Sequence, residues 1–221
     1  MTETMKRFLF NLMVIALMGF AHVTFAQNET SYPRNSEMRY FDENYQPISQ
    51  EVFDQKKWDH GLLDLEGDSI NHMILVHRVN RGTIEDRLAL DSVLFLATKQ
   101  EIDPHKPLII IYYPGKDRCN SSGMATRKST RRWYEILEKR TNNKAASNFV
   151  YLYKDSTGLY GRNDGYKSWH KDHRRIIENM FFKRHYPCYS FVVISEKGEN
   201  LSYFGEFPKD LIWEAVEALT D

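Results

Sequence analysis

The chain has 221 residues, with 30 Lys and Arg against 30 Asp and Glu and a formal net charge of zero. That balance gives no electrostatic reason to expect a nucleic acid or a membrane surface as partner. A hydrophobic fraction of 42% and an aromatic fraction of 14% suit a packed globular core, not a disordered or fibrous chain.

Lys6 and Arg7 precede an apolar run from Phe8 to about Ala21, and Thr24-Phe25-Ala26 offers a small residue for cleavage. This is the order of a secretory signal peptide, assigned to residues 1–26. The run of about fourteen residues is short of the ~20 that span a bilayer. No cysteine follows it to carry a lipid. The sequence therefore predicts an exported chain, periplasmic or secreted, with no stable membrane association after cleavage. In that compartment disulfides persist. About 195 residues remain, enough for one domain with an appendage.

Residues 27–68 read as an N-terminal extension, too short to bury a core alone. It holds Tyr40-Phe41, a turn at Asp42-Glu43-Asn44 and a short helix from about Ser49 to Trp58. The main domain, residues 69–221, opens with the strand formers Met73-Ile74-Leu75-Val76. A helix is expected from Asp91 to Gln100. Leu108 to Tyr113 is an unbroken apolar run without polar alternation, the mark of a central strand covered on both faces. After the loop Lys116 to Gly123 come a helix from about Met124 to Lys139, a strand at Asn148 to Tyr153, and a helix from about Ser168 to Phe182. The tail reads as a hairpin, Tyr189–Ile194 and Asn200–Phe204 around Gly198, followed by a helix starting near Pro208. The order β-α-β-α-β-α-β-β-α implies an α/β sandwich with a central mixed sheet flanked by helices.

Two cysteines carry most of the chemical information. Cys119 sits in the loop after the central strand, and Cys188 follows Pro187 directly before the strand from Tyr189. A thiol at a helix N-terminus, beside Arg118 and Lys116, has the setting of a nucleophile. Ser122 can donate a hydrogen bond to its thiolate. Three states stay open: a bridged pair, a catalytic monothiol at Cys119 with Cys188 resolving, or two unpaired thiols. A bridge requires Cα atoms about 4.4–6.8 Å apart, which the sequence does not fix. Arg127, Lys128, Arg131 and Arg132 make the following helix basic, a face for an acidic partner or a solvated surface balanced by Glu135 and Glu138. His170 and His173, three apart on an expected helix, could converge as metal ligands with a sulfur from Cys119 or Cys188, but a spaced cysteine pair is missing and surface histidines such as His185 are common, so no metal or cofactor is expected.

Residues 70–221 resemble the thioredoxin-like superfamily. The resemblance is carried by Tyr186-Pro187-Cys188-Tyr189-Ser190-Phe191-Val192-Val193-Ile194, by the turn Glu196-Lys197-Gly198-Glu199, and by Tyr203-Phe204-Gly205 before the last helix. Cys119-Asn120-Ser121-Ser122 stands where the family carries Cys-x-x-Cys, with serine in place of the second cysteine. An aromatic-Pro approach, Tyr112-Tyr113-Pro114, also resembles peroxiredoxins, but Lys116 replaces their threonine. The thioredoxin resemblance implies a cis peptide before Pro187, with the Tyr186 backbone offered to an extended substrate. It further implies thiol-disulfide chemistry on partner proteins, with Cys119, Ser122 and Cys188 at the catalytic centre and Tyr186 and Pro187 binding substrate. The other class of function on the same fold is a non-catalytic binding module whose cysteines form a structural bridge or stay unpaired.

Overall fold

In the computed structural model, residues 37–121, 126–159 and 166–220 are described. The expected signal peptide, residues 1–26, and Ser122 lie outside them. Among the described residues no helix is long and apolar enough to cross a membrane.

The N-terminal part forms a small sheet. Strands β1 (Arg39–Phe41) and β2 (Pro47–Ile48) are joined by a turn in which the Asp42 carboxylate accepts the backbone N–H groups of Asn44 and Gln46, each at 2.9 Å. Helix α1 (Gln50–Asp59) starts at Ser49, whose hydroxyl accepts the Val52 N–H. Strands β3 (Leu63–Glu66) and β4 (His72–Val76) complete the order β2-β1-β4-β3. Met73–Val76, read from sequence as the first strand of the main domain, thus pairs with β1 and β3 instead. Phe53 of α1 packs with Leu62 and Leu75 on one side of this sheet, while Leu63, Leu65 and Ile74 join the main core on the other.

The main sheet has six strands: β5 (Val79–Thr83), β6 (Leu108–Tyr113), β7 (Asn148–Tyr153), β8 (Trp169–Lys171), β9 (Ser190–Ile194) and β10 (Glu199–Tyr203), in the order β5-β10-β9-β6-β7-β8. The helices are α2 (Arg87–Thr98), α3 (Arg118–Ser121), α4 (Arg127–Lys144), α5 (Ile176–Phe181) and α6 (Lys209–Thr220). Strand β6 runs parallel to β7 and antiparallel to β9. All six of its side chains are at most 2% exposed. Its alternate residues feed two cores. Leu108, Ile110 and Tyr112 pack with Leu90 and Leu94 of α2 and with Phe181 and Phe182. Ile109, Ile111 and Tyr113 pack with Tyr134 and Leu137 of α4 and Ile212 and Val216 of α6. This is the expected α/β sandwich: a mixed central sheet with helices on both faces.

Three local readings change. The expected helix from Ser168 to Phe182 is strand β8, a 3-10 turn (His173–Arg175) and α5. The break has a physical cause. Asp172 N–H bonds the Tyr153 carbonyl, adding β8 to the sheet, and the Asp172 carboxylate then accepts the N–H groups of Ile177 and Glu178. Arg174 and Arg175, at φ 59° and 55°, turn the chain between these anchors. Strand β5, missed from sequence because all five residues are exposed, pairs at the edge with β10. Helix α2 starts at Arg87, capped by the Asp86 carboxylate on the Ala89 N–H, before the expected Asp91. The hairpin turn stands as read: Gly198 is at φ 88°, and a Cβ there would collide with the Ile84 carbonyl oxygen.

Arg87 ties three elements together at the end of the sheet where β6 begins. Its Nε donates to Asp91 Oδ1 at 2.9 Å, Nη1 to the Ser195 carbonyl at 2.7 Å and Nη2 to the Lys106 carbonyl at 3.3 Å. Arg87 and Asp91 are both buried, so removing the cation leaves a carboxylate and two carbonyls without their partner. Arg87→Met is expected to destabilise the fold by about 3–5 kcal/mol, measured by urea unfolding. A loss below about 1 kcal/mol would show that the pair does not hold the hairpin to α2.

Candidate functional site

The loop leaving β6 is closed by a reciprocal clasp between two side chains. The Asp117 N–H donates to Asn120 Oδ1 at 3.0 Å, and the Asn120 N–H donates to Asp117 Oδ1 at 2.8 Å. Asn120 Nδ2 also reaches back to the Gly115 carbonyl at 2.8 Å, and the residue is 1% exposed. Aspartate and asparagine are suited to this because their short side chains imitate a backbone turn. Gly115, at φ 126°, lets the chain fold against Asp155, whose Cβ would lie 3.3 Å from an added Cβ. The clasp winds α3 into a single turn and presents Cys119, half-buried, on the surface side.

Cys188 approaches from the other direction, two residues before β9. Its N–H donates to Asp117 Oδ2 at 2.8 Å. Its φ of 66° is uncommon for a residue with a Cβ. Cys119 and Cys188 form a disulfide with Cα atoms 5.3 Å apart, closing a sequence separation of 69. Cys188 is 6% exposed, so Cys119 is the more accessible sulfur.

The bridge lies in an acidic frame. Asp117 offers a carboxylate oxygen within 4.8 Å of both sulfurs. Glu206, on the loop after β10, places Oε2 3.8 Å from Cys119 Sγ. A bridged sulfur has no proton, so this is a contact and not a hydrogen bond. His185 Nε2 stands 3.6 Å from Asp117 Oδ2. Negative charge developing on either sulfur is disfavoured beside these carboxylates.

Of the residues singled out from sequence, Cys119 and Cys188 are brought together in a bridge, which rules out two unpaired thiols and leaves a structural bridge or an exchanging pair in which Cys188 resolves Cys119. Ser122 is outside the described residues. The Tyr186–Pro187 peptide is trans, since there is no cis bond among the described residues; this corrects the expected cis-proline. The turn is made at Cys188 instead, held at positive φ by its bond to Asp117 and its bridge to Cys119. The Tyr186 ring is buried and stacked on Phe204 at 4.2 Å, and burial pushes its hydroxyl pKa up. The helix that bears Cys119 has only four residues, too short for the dipole assistance expected from the sequence. Asp117, Asn120 and Glu206 were not singled out. An Asp and an Asn three apart in a loop is a readable turn signal, whereas Glu206 meets Cys119 only through the fold.

A second polar group sits where the parallel strands end. Glu178 receives Lys154 at 2.8 Å and Arg175 at 2.6 Å. Burial works to raise its pKa, but the two cations hold it below the ordinary value. Burial raises the pKa of Asp172, and burial with the charges of Glu178 and Asp172 raises that of Tyr112. The roles of these side chains are structural: they fasten α5 to β7 and β8. His170 and His173 lie on β8 and the turn after it, and neither belongs to the group of metal-capable donors formed by Asp117, Cys119 and Cys188 among the described residues. On α4, Arg131 pairs with Glu135 at 2.8 Å, so part of the basic face is neutralised within the helix.

No protein-family model matches this chain, and no curated protein matches it. Among solved structures it is similar to the exposed lipoprotein thioredoxin Etrx1 of Streptococcus pneumoniae, with 9% identity over 52% of this chain and 87% of that one, and a TM-score of 0.35. It is also similar to a secreted Mycobacterium tuberculosis disulfide oxidoreductase homologous to E. coli DsbE, with 13% identity over 58% of this chain and 99% of that one, and a TM-score of 0.35. Neither likeness transfers a residue's role to this protein.

Asn120→Ala removes the clasp and leaves the Gly115 carbonyl and the Asp117 N–H unpartnered. It is expected to cost roughly 1–3 kcal/mol in urea unfolding and to speed reduction of the bridge by a small thiol. Unchanged stability and unchanged reduction rate would show that the loop is held by other contacts.

Proposed function

We propose that this protein is exported and exchanges disulfides with partner proteins through the Cys119–Cys188 pair. The observation that carries this reading is the asymmetry of the bridge: an accessible sulfur on a surface loop joined to a buried one. The signal-like order of Lys6, Arg7, the apolar run and Ala26 supports export.

In the reduced protein, the Cys119 thiol gives up its proton to the Glu206 carboxylate, whose Oε2 lies 3.8 Å from the sulfur, and the thiolate attacks a partner disulfide. One partner sulfur leaves as a thiolate, and the other stays bonded to Cys119. Cys188 then gives its proton to the released partner thiolate and attacks Cys119 Sγ, expelling the second partner sulfur as a thiolate that takes up the proton held by Glu206. Two electrons pass to the partner and the bridge forms. Beside these carboxylates the reduced pair lacks the thiolate stabilisation that makes a disulfide oxidising, so reduction of partners is the proposed direction. The Tyr186-Pro187 backbone beside Cys188 is the proposed rest for an extended partner segment, and the buried Tyr186 ring fixes that backbone and does not contact substrate.

A permanent staple in a binding module is the second reading, favoured by the burial of Cys188 and its bond to Asp117. A bridge closing this loop would contribute about 4 kcal/mol in the chain-entropy model. Trapping separates the two. Cys188→Ser is expected to accumulate a mixed disulfide between Cys119 and an unfolded disulfide-bearing protein, and Cys119→Ser to accumulate none. If neither variant forms an adduct and both simply lose stability, the bridge is a staple.

A further inference from the structure

We propose that opening the Cys119–Cys188 bridge creates a binding site for a zinc-class divalent cation, made by the two cysteine sulfurs with the carboxylates of Asp117 and Glu206. The proposal requires that the bridge can be opened; it does not require exchange with partners.

Three of the donors are already gathered, and the fourth flanks one of them. One oxygen of Asp117 and both sulfurs lie within 4.8 Å of one another, and Glu206 Oε2 is 3.8 Å from Cys119 Sγ. In a tetrahedral zinc site with metal–sulfur bonds of about 2.3 Å, two sulfurs stand about 3.8 Å apart. The bridge therefore has only to part by a bond's length or so, and the half-buried Cys119 on its one-turn helix is the side free to move.

Asp117 is also oriented as a metal-binding carboxylate is. Its Oδ1 accepts the Asn120 N–H and its Oδ2 the Cys188 N–H, both at 2.8 Å, so among the described residues the group is fixed by backbone donors and not by a competing lysine or arginine. His185 Nε2, 3.6 Å from Oδ2, adds a further polar partner. Such outer contacts hold ligands in place and commonly change affinity by about 10–100-fold. Lys116 and Arg118 are exposed on the same loop.

Electrostatics gives the site its switch. Beside two carboxylates, a pair of thiolates without a cation is a repulsive arrangement of charge. A divalent cation reverses that balance, because it displaces the thiol protons and is held by the same negative charge. The balance is complete. A dithiol or phosphine supplies two electrons, two protons are taken up as the S–S bond breaks, and metal binding releases the thiol protons. Two sulfurs with two carboxylates match a borderline cation, whereas magnesium and calcium prefer oxygen-only sites and copper(I) prefers sulfur-rich ones. Oxidation removes both sulfur ligands at once and expels the ion.

The test compares the full chain reduced with a phosphine against the oxidised chain, counting free thiols by mass spectrometry and measuring zinc affinity by competition with a chromophoric chelator. Cobalt(II) serves as the spectroscopic probe for thiolate ligation. The reduced chain is expected to bind one zinc with at least about 100-fold higher affinity than the oxidised chain, and cobalt to show a sulfur-to-metal charge-transfer band. Glu206→Gln, which leaves the Asp117–Asn120 clasp intact, is expected to weaken zinc binding about tenfold or more, and Asp117→Asn further. Reduced protein with two counted thiols that binds zinc no better than oxidised protein would overturn the proposal. So would a bridge that opens only on unfolding, or wild-type affinity in both carboxylate variants. Because thiols are counted separately from zinc, failure of the metal site is distinguishable from failure of disulfide exchange.

Discussion

The pairing of β6 with β9 is the constraint on which the site depends. The two strands are antiparallel, with Tyr112 opposite Ser190. The chain leaving β6 and the chain entering β9 therefore lie at the same edge of the sheet. Cys188 stands two residues before Ser190, and the Cys119 loop has only to fold back by one helical turn to reach it. The Asp117–Asn120 clasp makes that fold, and Asp117 then holds the Cys188 backbone as well. One carboxylate thus organises both halves of the bridge. A slip of one residue between β6 and β9 would exchange the faces of Ile109 and Ile110 and dismantle both cores along with the site.

Where burial alone decides structure, the sequence could be read closely. Leu108–Tyr113, buried throughout, and Asn148–Tyr153, buried at its centre, are strands at the expected bounds. The hairpin and final helix were readable from Gly198 and from the apolar stripe ending at Leu219. Trp169–Lys171 was not, because its strand identity comes from β7 beside it and from Asp172, and no local periodicity records that. Nor could the sequence show that Met73–Val76 belongs to the smaller sheet, as sheet membership is a matter of pairing and not of composition.

The same division holds at the site. The positions of Cys119 and Cys188 at the ends of two strands pointed to them, but whether they meet depends on a distance of a few ångströms. The resemblance supplied a cis-proline that the chain does not have; Cys188 takes up the turn instead. The acidic frame was beyond reach. Asp117 approaches Cys188 across 71 positions and Glu206 approaches Cys119 across 87, contacts set by the β6-β9-β10 arrangement. These carboxylates give the site its particular character. They surround the sulfurs with negative charge, unlike the basic setting suggested by Arg118 and Lys116.

Everything proposed for this site turns on whether the bridge can be opened in the folded protein. The deciding measurement is alkylation and mass spectrometry of the chain equilibrated through a series of defined redox buffers. An exchanging pair in this acidic frame should be half reduced between about −200 and −270 mV, with the protein still folded. A bridge that stays closed to below about −300 mV would be a structural staple, and the exchange function would fall with it.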